Sequence, residues 1–484
     1  PIPRYRSHAH SRKMKHRLYI LSLCSLLLVL GSALRAQDVQ RFSERQIIGT
    51  ARYVGMGGAM TAIGGDPSAV MDNPAGLGLY RRDEIMLTID ETIDNTTQPL
   101  NNRYTRSRFA APQVSAIWAW GNPMKQRGMI FNNFMLSVNR FANFNRDVVV
   151  SGQNMGMVKT ICKKTDGLAE QYLQNTPWDD SEIGWLSILG YEAYIINPKT
   201  ESDDLWISAV NFTDGTLSVS ESGSYDQYTL SWGSNISNQW YVGASLNVPT
   251  ISYTKRVTHS ETDRINSAEL KSLYHMSGVG VSGNFGVIYR PAKWMRIGVS
   301  FQTPTMLELS VQTEGDMYST VEGQTYKVLT PASGTINMEL ISPLRSSVGL
   351  AGQIGDRAML AVQYDYAHAE GMDDVHTLRC GAELQTVRGL FFNAGYVYES
   401  SFIKEEQPVG LDYNSIRTDM DYRYTPQSQY ASVGLGYRGD VVVAQVAYQY
   451  RWQTLHQFAT EAQPLPIEVG TRTHRIVATL AWRF

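Results

Sequence analysis

Charge is scarce in this chain. Only 18% of its residues are charged, against roughly 25% in an ordinary globular protein. The formal net charge is −2, which gives no electrostatic reason to bind nucleic acid. Disorder is also disfavoured, because it needs low hydrophobicity together with high net charge. Long apolar runs are equally scarce. One exists, Leu18 to Leu34, whereas a helical membrane bundle needs several of about 20 residues. No Gly-x-Ser-x-Gly elbow and no His-Glu-x-x-His zinc motif is present, so the chain reads as a non-enzyme with no cofactor and no metal. What is abundant is glycine (40), tyrosine (27) and tryptophan (10). This is the composition of a β protein, either large and soluble or seated in an outer membrane.

The single apolar run decides between them. Lys13, Lys15 and Arg17 precede it, and Ser32, Ala33 and Ala36 close it, the pattern of a secretory signal peptide. Residues 1–36 are therefore expected to be a signal with an upstream extension, starting at Met14 and cleaved near Ala36. Cys24 lacks the preceding small residue of a lipoprotein signal. Cys162 and Cys380 remain, and export permits their pairing without requiring it.

From Glu84 onward the dominant period is two. Trp240, Val242, Ala244, Leu246 and Val248 alternate with Tyr241, Gly243, Ser245 and Asn247. Leu360, Val362, Tyr364 and Tyr366 do the same against Ala361, Gln363 and Asp365. About fourteen such segments run from Glu84–Asp94 to Thr473–Phe484, an even number suited to an outer-membrane barrel. Met129–Val150, Tyr225–Ser237, Ser277–Arg290 and Gly334–Ile354 are among them. Asn238-Gln239, Gly355-Asp356, Arg388-Gly389 and Gly439-Asp440 are tight turns. Longer links fall between them, at 151–224, 259–276, 316–333, 402–427 and 454–472. Short turns at one end and long loops at the other are the habit of a transmembrane antiparallel β-barrel. A soluble β-sandwich also alternates, but the strands here are long and aromatics cluster near their ends.

Residues 37–83 precede this barrel (84–484) and read differently. Asp66 before Pro67 is a helix start with an acidic cap, and Asn73-Pro74 ends that helix. Gly55, Gly57, Gly58, Gly64 and Gly65 let backbone approach backbone. Such a module is expected to fold into the lumen as a plug, or hatch. In the 151–224 surface loop, Leu168–Leu173 and Gly184–Ile196 look helical. The second carries Trp185, Leu186, Ile188, Leu189, Tyr191 and Tyr194, candidates for binding an apolar ligand. Polar residues in the third strand (Asn139, Arg140, Asn143 and Asn145) would sit badly against lipid and mark a candidate kink or lateral gate.

Other clusters carry less. Gly278-Val-Gly280-Val-Ser-Gly283 spells a dinucleotide fingerprint, but a strand follows it where the fingerprint needs a helix. His368, Glu370, Asp373, Asp374 and His376 could chelate a cation, yet a solvated acidic loop tip is the commoner explanation.

The run Gly55-Met-Gly57-Gly58-Ala, the spacing of Asp66, Ser68, Ala69, Asn73, Pro74 and Ala75, and the terminal Phe484 resemble the FadL/TodX-type outer-membrane transporters of hydrophobic compounds. That resemblance implies uptake of long-chain fatty acids or similar compounds in the bacterial outer membrane. It implies a plug motif at Gly57, Gly58, Asp66, Ser68, Asn73, Pro74 and Ala75, and lateral or periplasmic release. The implied partners are a hydrophobic small molecule or lipid, outer-membrane lipid, and the barrel-assembly machinery through Phe484. The alternatives are a docking or shuttle barrel of a protein-secretion system and, more weakly, haem uptake through His259, His275 or His456.

Overall fold

The computed structural model describes residues 41, 45–97, 103–175, 178–200, 202–332, 335–370, 372–386, 389–403, 411–412 and 414–484. The expected signal segment lies outside them.

Nineteen strand segments form one antiparallel sheet. They are β1 (Glu84–Thr97), β2 (Arg103–Gly121), β3 (Met129–Asn143), β4 (Arg146–Gln153), then β7 (Asp214–Ile236) to β9 with β8 (Trp240–Thr262) and β9 (Ser267–Ala292). Next come β10 (Met295–Gln302), β11 (Met306–Val321), β12 (Gln324–Leu329), β13 (Ile336–Ile341), β14 (Leu344–Ile354), β15 (Ala358–His368) and β16 (Val375–Gln385). The last are β17 (Leu390–Ser400), β18 (Tyr422–Tyr424), β19 (Gln427–Arg438), β20 (Val442–Phe458) and β21 (Ile467–Arg483). Four staves are built from collinear pieces: β3 with β4, β10 with β11, β12 with β13 and β14, and β18 with β19. That leaves fourteen staves. β1 pairs with β21 from Glu84↔Arg483 to Thr97↔Gly470, which closes the sheet into a barrel.

The two-residue period sets which side chains meet lipid. Ile85, Leu87 and Ile89 point outward while Met86, Thr88 and Asp90 are buried inward. Leu246 is exposed between buried Ser245 and Asn247. Trp118, Trp120, Trp240, Trp294, Tyr437 and Trp482 are exposed near the short-turn end, forming an aromatic girdle of the kind found at a membrane surface. Among the described residues no helix is long and apolar enough to cross a membrane. The chain crosses with strands.

The staves run further than their apolar patterning. The expected links 259–276, 316–333 and 454–472 are largely strand, with β8 and β9 joined by 263–266 alone. Above the bilayer the outward face has no lipid to meet, so apolar alternation fades. The ladder persists because backbone pairing does not depend on side-chain polarity. The segment Met129–Val150, expected as one strand, is broken between Asn143 and Arg146.

The 154–213 connection carries α3 (Met157–Thr165), α4 (Trp185–Glu192) and the hairpin of β5 (Ile196–Lys199) with β6 (Ser202–Ser208). It packs as a cap on Ala268 and Leu270 of β9, Met317 of β11 and Met420. Before the barrel, α1 (Ala51–Gly55), α2 (Pro67–Asp72) and a 3-10 turn (Pro74–Leu79) are almost wholly buried within the lumen.

Candidate functional site: plug, lumen and seam

The plug is held by its own caps first. Asp66 Oδ1 accepts from the Ser68 amide at 2.9 Å, and both its carboxylate oxygens take the Thr50 hydroxyl at 2.8 Å. Ser68 Oγ accepts from the Thr50 amide at 2.8 Å. The α2 cap thereby ties the start of α1 to the start of α2. Asn73 caps the 3-10 turn through Ala75 N at 3.0 Å and donates to Thr61 O at 2.8 Å. Gly57, Gly58, Gly64 and Gly65 all have φ between 61° and 69°, where a Cβ is strained.

Inward-facing wall residues then satisfy the plug backbone. Asn133 donates to Leu77 O and Tyr80 O at 2.7 and 2.9 Å, and Asn284 donates to Met71 O at 2.7 Å. Thr479 Oγ1 accepts from Ala51 N at 2.8 Å, and Gln363 Oε1 from Thr61 N at 2.9 Å. Two buried ion-pair groups add to this. Arg52 of α1 forks onto Glu383 of β16 at 2.6 and 3.2 Å. Arg379 binds Asp365 at 2.7 Å, Asp72 at 3.1 Å and the Tyr53 hydroxyl at 2.9 Å. Burial alone would depress the Arg52 guanidinium, but the facing Glu383 carboxylate raises it above its usual value, so it stays charged.

The wall makes room for the plug with glycine. Gly233, Gly243 and Gly286 are in register across β7, β8 and β9, Gly298 and Gly349 across β10 and β14, and Gly381 and Gly395 across β16 and β17. A Cβ on Gly243 would lie 2.4 Å from Pro74 C, one on Gly298 2.2 Å from Thr61 O, and one on Gly395 2.2 Å from Gly57 N. This belt is dispersed over seven staves, and no local motif announces it. Gly278 serves its neighbouring strand instead, since its Cβ would meet Glu308 O at 2.2 Å.

The polar run in the third stave sits where pairing fails. β3 bulges between Arg140 and Ala142 against β7. β2 pairs with β3 only over Gln113–Gly121. Above Gln113, among the described residues, β2 is laddered to β1 and β4 to β7, and no ladder joins β2 to β4. This seam is bridged by side chains, with Arg106 on Asp147 at 2.8 Å and Arg108 NH1 on Asn145 O at 3.4 Å. Arg140 forks onto Asp226 at 2.7 and 3.1 Å, Asn139 donates to Ser137, and Asn145 binds Asn143. The plug reaches the same place. Gln46 N donates to Phe141 O at 3.1 Å, Gln46 Nε2 donates to Asn143 O at 3.2 Å, and Arg45 lies over the Phe141 ring.

Above the plug a cavity of about 80 Å³ abuts this seam. Its wall is polar, and Arg108, Arg146, Arg423, Arg451 and Arg475 reach it. A segment of the 401–426 connection closes the mouth over it. Lys255 pairs there with Asp419 and Asp421 at 2.9 and 2.6 Å, and Arg417 pairs with Asp419 at 2.7 Å.

The six apolar cap candidates divide. Trp185, Leu186, Ile188 and Leu189 are between 0 and 5% exposed at the centre of the cap core, so they pack the cap instead of presenting a capture surface. Tyr191 is half-buried and donates to Glu170 at 3.0 Å. Tyr194 is 55% exposed and stacks near Tyr326. The histidines are scattered. His275 Nδ1 pairs with Thr254 Oγ1 and His456 Nδ1 with the Tyr424 hydroxyl, while His259 is buried on β8. At the 369–374 link, His368 meets Asp374 and His376 meets the Tyr364 hydroxyl, both at 2.7 Å. Cys162 in the cap and Cys380 in the wall are both free thiols.

No family model matches the sequence, and no curated protein matches it. Solved structures do match its fold. A FadL homologue of Pseudomonas aeruginosa is similar at 12% identity with a TM-score of 0.53, over 91% of this chain and 99% of that one. The toluene transporter TodX of Pseudomonas putida is similar at 13% identity with a TM-score of 0.51, over 91% of this chain and 100% of that one. The chain therefore has the FadL/TodX-type fold, a closed fourteen-stranded transmembrane barrel stoppered by its own N-terminal residues.

Proposed function

We propose that this chain is an outer-membrane channel that takes up hydrophobic or amphiphilic compounds and releases them sideways, between β2 and the third stave. One observation carries the reading: the ladder lapses at that stave boundary, beside a lumenal cavity and under the grip of the plug. A compound with an apolar part gains about 25 cal/mol for each Å² that leaves water. A gap in the wall lets that part reach hydrocarbon without crossing the polar outer leaflet. Shared fold with proteins named as a FadL homologue and a toluene transporter supports the same direction. Because Gln46 holds the kinked strand by two hydrogen bonds, plug movement and seam width are coupled. Inward passage from outside requires the cap and the 414–424 segment to part from the mouth.

The seam can be tested directly. Arg106→Cys and Asp147→Cys, joined by a reducible bis-maleimide, bridge the gap where the native side chains already meet. Uptake of a fluorescent fatty acid or of toluene into proteoliposomes is expected to stop on cross-linking and return on reduction. Unchanged uptake by the cross-linked protein would remove lateral release.

A further inference from the structure

Among the described residues, several lumenal charges face opposite charges. Beneath the cap, Lys255 and Arg417 face Asp419 and Asp421. On the wall, Arg475 faces Asp90 at 3.3 Å and Arg108 faces Asp94 at 3.5 Å. At Glu221 the balance breaks. This single buried carboxylate meets Arg146 at 2.9 Å, Arg423 at 3.2 Å and Arg41 at 3.7 Å, and it also accepts the Tyr253 hydroxyl at 2.6 Å. One negative charge cannot neutralise both Arg146 and Arg423, and buried cations are costly without a counter-charge. Beyond that 2.9 Å contact of Nε with Glu221, the buried nitrogens of the Arg146 guanidinium make no hydrogen bond. They border the cavity, which reaches the seam between Arg108 of β2 and Asn143–Arg146.

We propose that the cavity beside Arg146 and Arg423 binds the phosphate of a phosphate monoester, with any alkyl chain leaving through the seam. The proposal rests on the channel reading and names its ligand class. Guanidinium forks fit oxoanions bidentately, and the surplus of positive charge around Glu221 favours a dianion over a carboxylate. The cavity volume of about 80 Å³ suits a head group with a few waters, at roughly 10–15 Å³ for each water centre. It does not suit an alkyl chain. The seam supplies that room: Phe109, one residue from Arg108, is 68% exposed on the lipid side, and Val138, just below the seam where it pairs with Val114, is also exposed. The amphiphile would sit with its anion in the lumen and its tail against hydrocarbon.

Purified protein in dodecyl maltoside is titrated calorimetrically with hexyl phosphate, hexanoate, hexanol and inorganic phosphate, at a pH above the second phosphate ionisation near about 6. Hexyl phosphate is expected to bind about tenfold or more tightly than hexanoate, and hexanol not to bind. Arg146→Gln and, separately, Arg423→Gln are expected to lose about tenfold or more in hexyl phosphate affinity, whereas Lys271→Gln on an exposed outer strand position is not. Native folding of each variant is checked by heat-modifiable migration. Competition by inorganic phosphate shows that free anion suffices, and binding without competition shows that the alkylated anion is the ligand; both support the site. Equal affinity for hexyl phosphate and hexanol, or full affinity in both natively folded arginine variants, overturns it. Toluene uptake that is seam-dependent but without phosphate binding removes this proposal and leaves the channel. Phosphate binding without any effect of the seam cross-link does the reverse.

Discussion

Gly243→Val separates plug packing from barrel stability. Gly243 has ordinary strand geometry with its neighbours in register, so β-branched valine is intrinsically welcome there. The obstacle is the plug. A Cβ would stand 2.4 Å from both the carbon and the oxygen of Pro74 and 2.6 Å from Ala75 N. Relaxed contact between carbons needs about 3.5–4.0 Å, so Pro74 must retreat by about 1 Å before the two γ-methyls are counted. Backbone cannot rotate away as a side chain can, and overpacking of this kind costs about 1–3 kcal/mol. Retreat also pulls on Asn73, which donates to Thr61 O at 2.8 Å. The variant is expected to keep the heat-modifiable barrel, to lower the midpoint of plug release, and to raise ion conductance in planar bilayers. Gly352→Val is the matched comparison, because nothing lies within 4 Å of its Cβ position. Identical conductance and melting in the two variants would refute the claim that this glycine exists to admit the plug.

Three further outcomes follow from the same geometry. Glu383→Gln leaves Arg52 buried without its counter-charge, so plug retention should fall by about 3–5 kcal/mol, read as protease cleavage near residues 51–65 in intact barrels. Burial would raise the Asp419 carboxyl, yet Arg417 and Lys255 overcome this and hold it well below the usual carboxylate range. A depressed folded-state value means the clasp contributes fully above the unfolded value of about 4 and is lost only as pH falls through the lower, folded one. Hydrogen exchange over 414–424 should therefore stay protected from neutral pH down to about 4, and deprotection between about pH 6 and 5 would contradict this. Burial pushes the Cys162 thiol up to about 12. It should resist maleimide at neutral pH until the cap is loosened, a convenient reporter of cap opening.

The legible and illegible parts of this molecule divide by range. Where one residue's chemistry acts on its immediate neighbours, the sequence shows it plainly. Asp66-Pro67 starts α2 and Asn73 ends it, and apolar alternation marks the lipid-facing halves of the staves. The polar run Asn139–Asn145 coincides with the bulge and with the break before Arg146. The strand extensions were hidden because their side chains face water and cap, so no apolar period identifies them. Helicity of Met157–Thr165 was hidden by its β-branched residues, Val158, Thr160, Ile161 and Thr165. The glycine belt and the Glu221 arginines were hidden for another reason: each is assembled from residues hundreds of positions apart, and only closure brings them together. Trp185, Leu186, Ile188 and Leu189 show the opposite error, since apolar content alone does not distinguish a binding face from a packing face.

The ladder between β1 and β21 dictates a sequence of events. Its first strand is the earliest stave in the chain and its last follows all the others, so the cylinder cannot be sealed before β21 is in place. The stopper is threaded on β1 and touches staves from β3 through β21. Sealing the hem also supplies the stopper's contact with Thr479, so the bore and its bung are completed by the same strand.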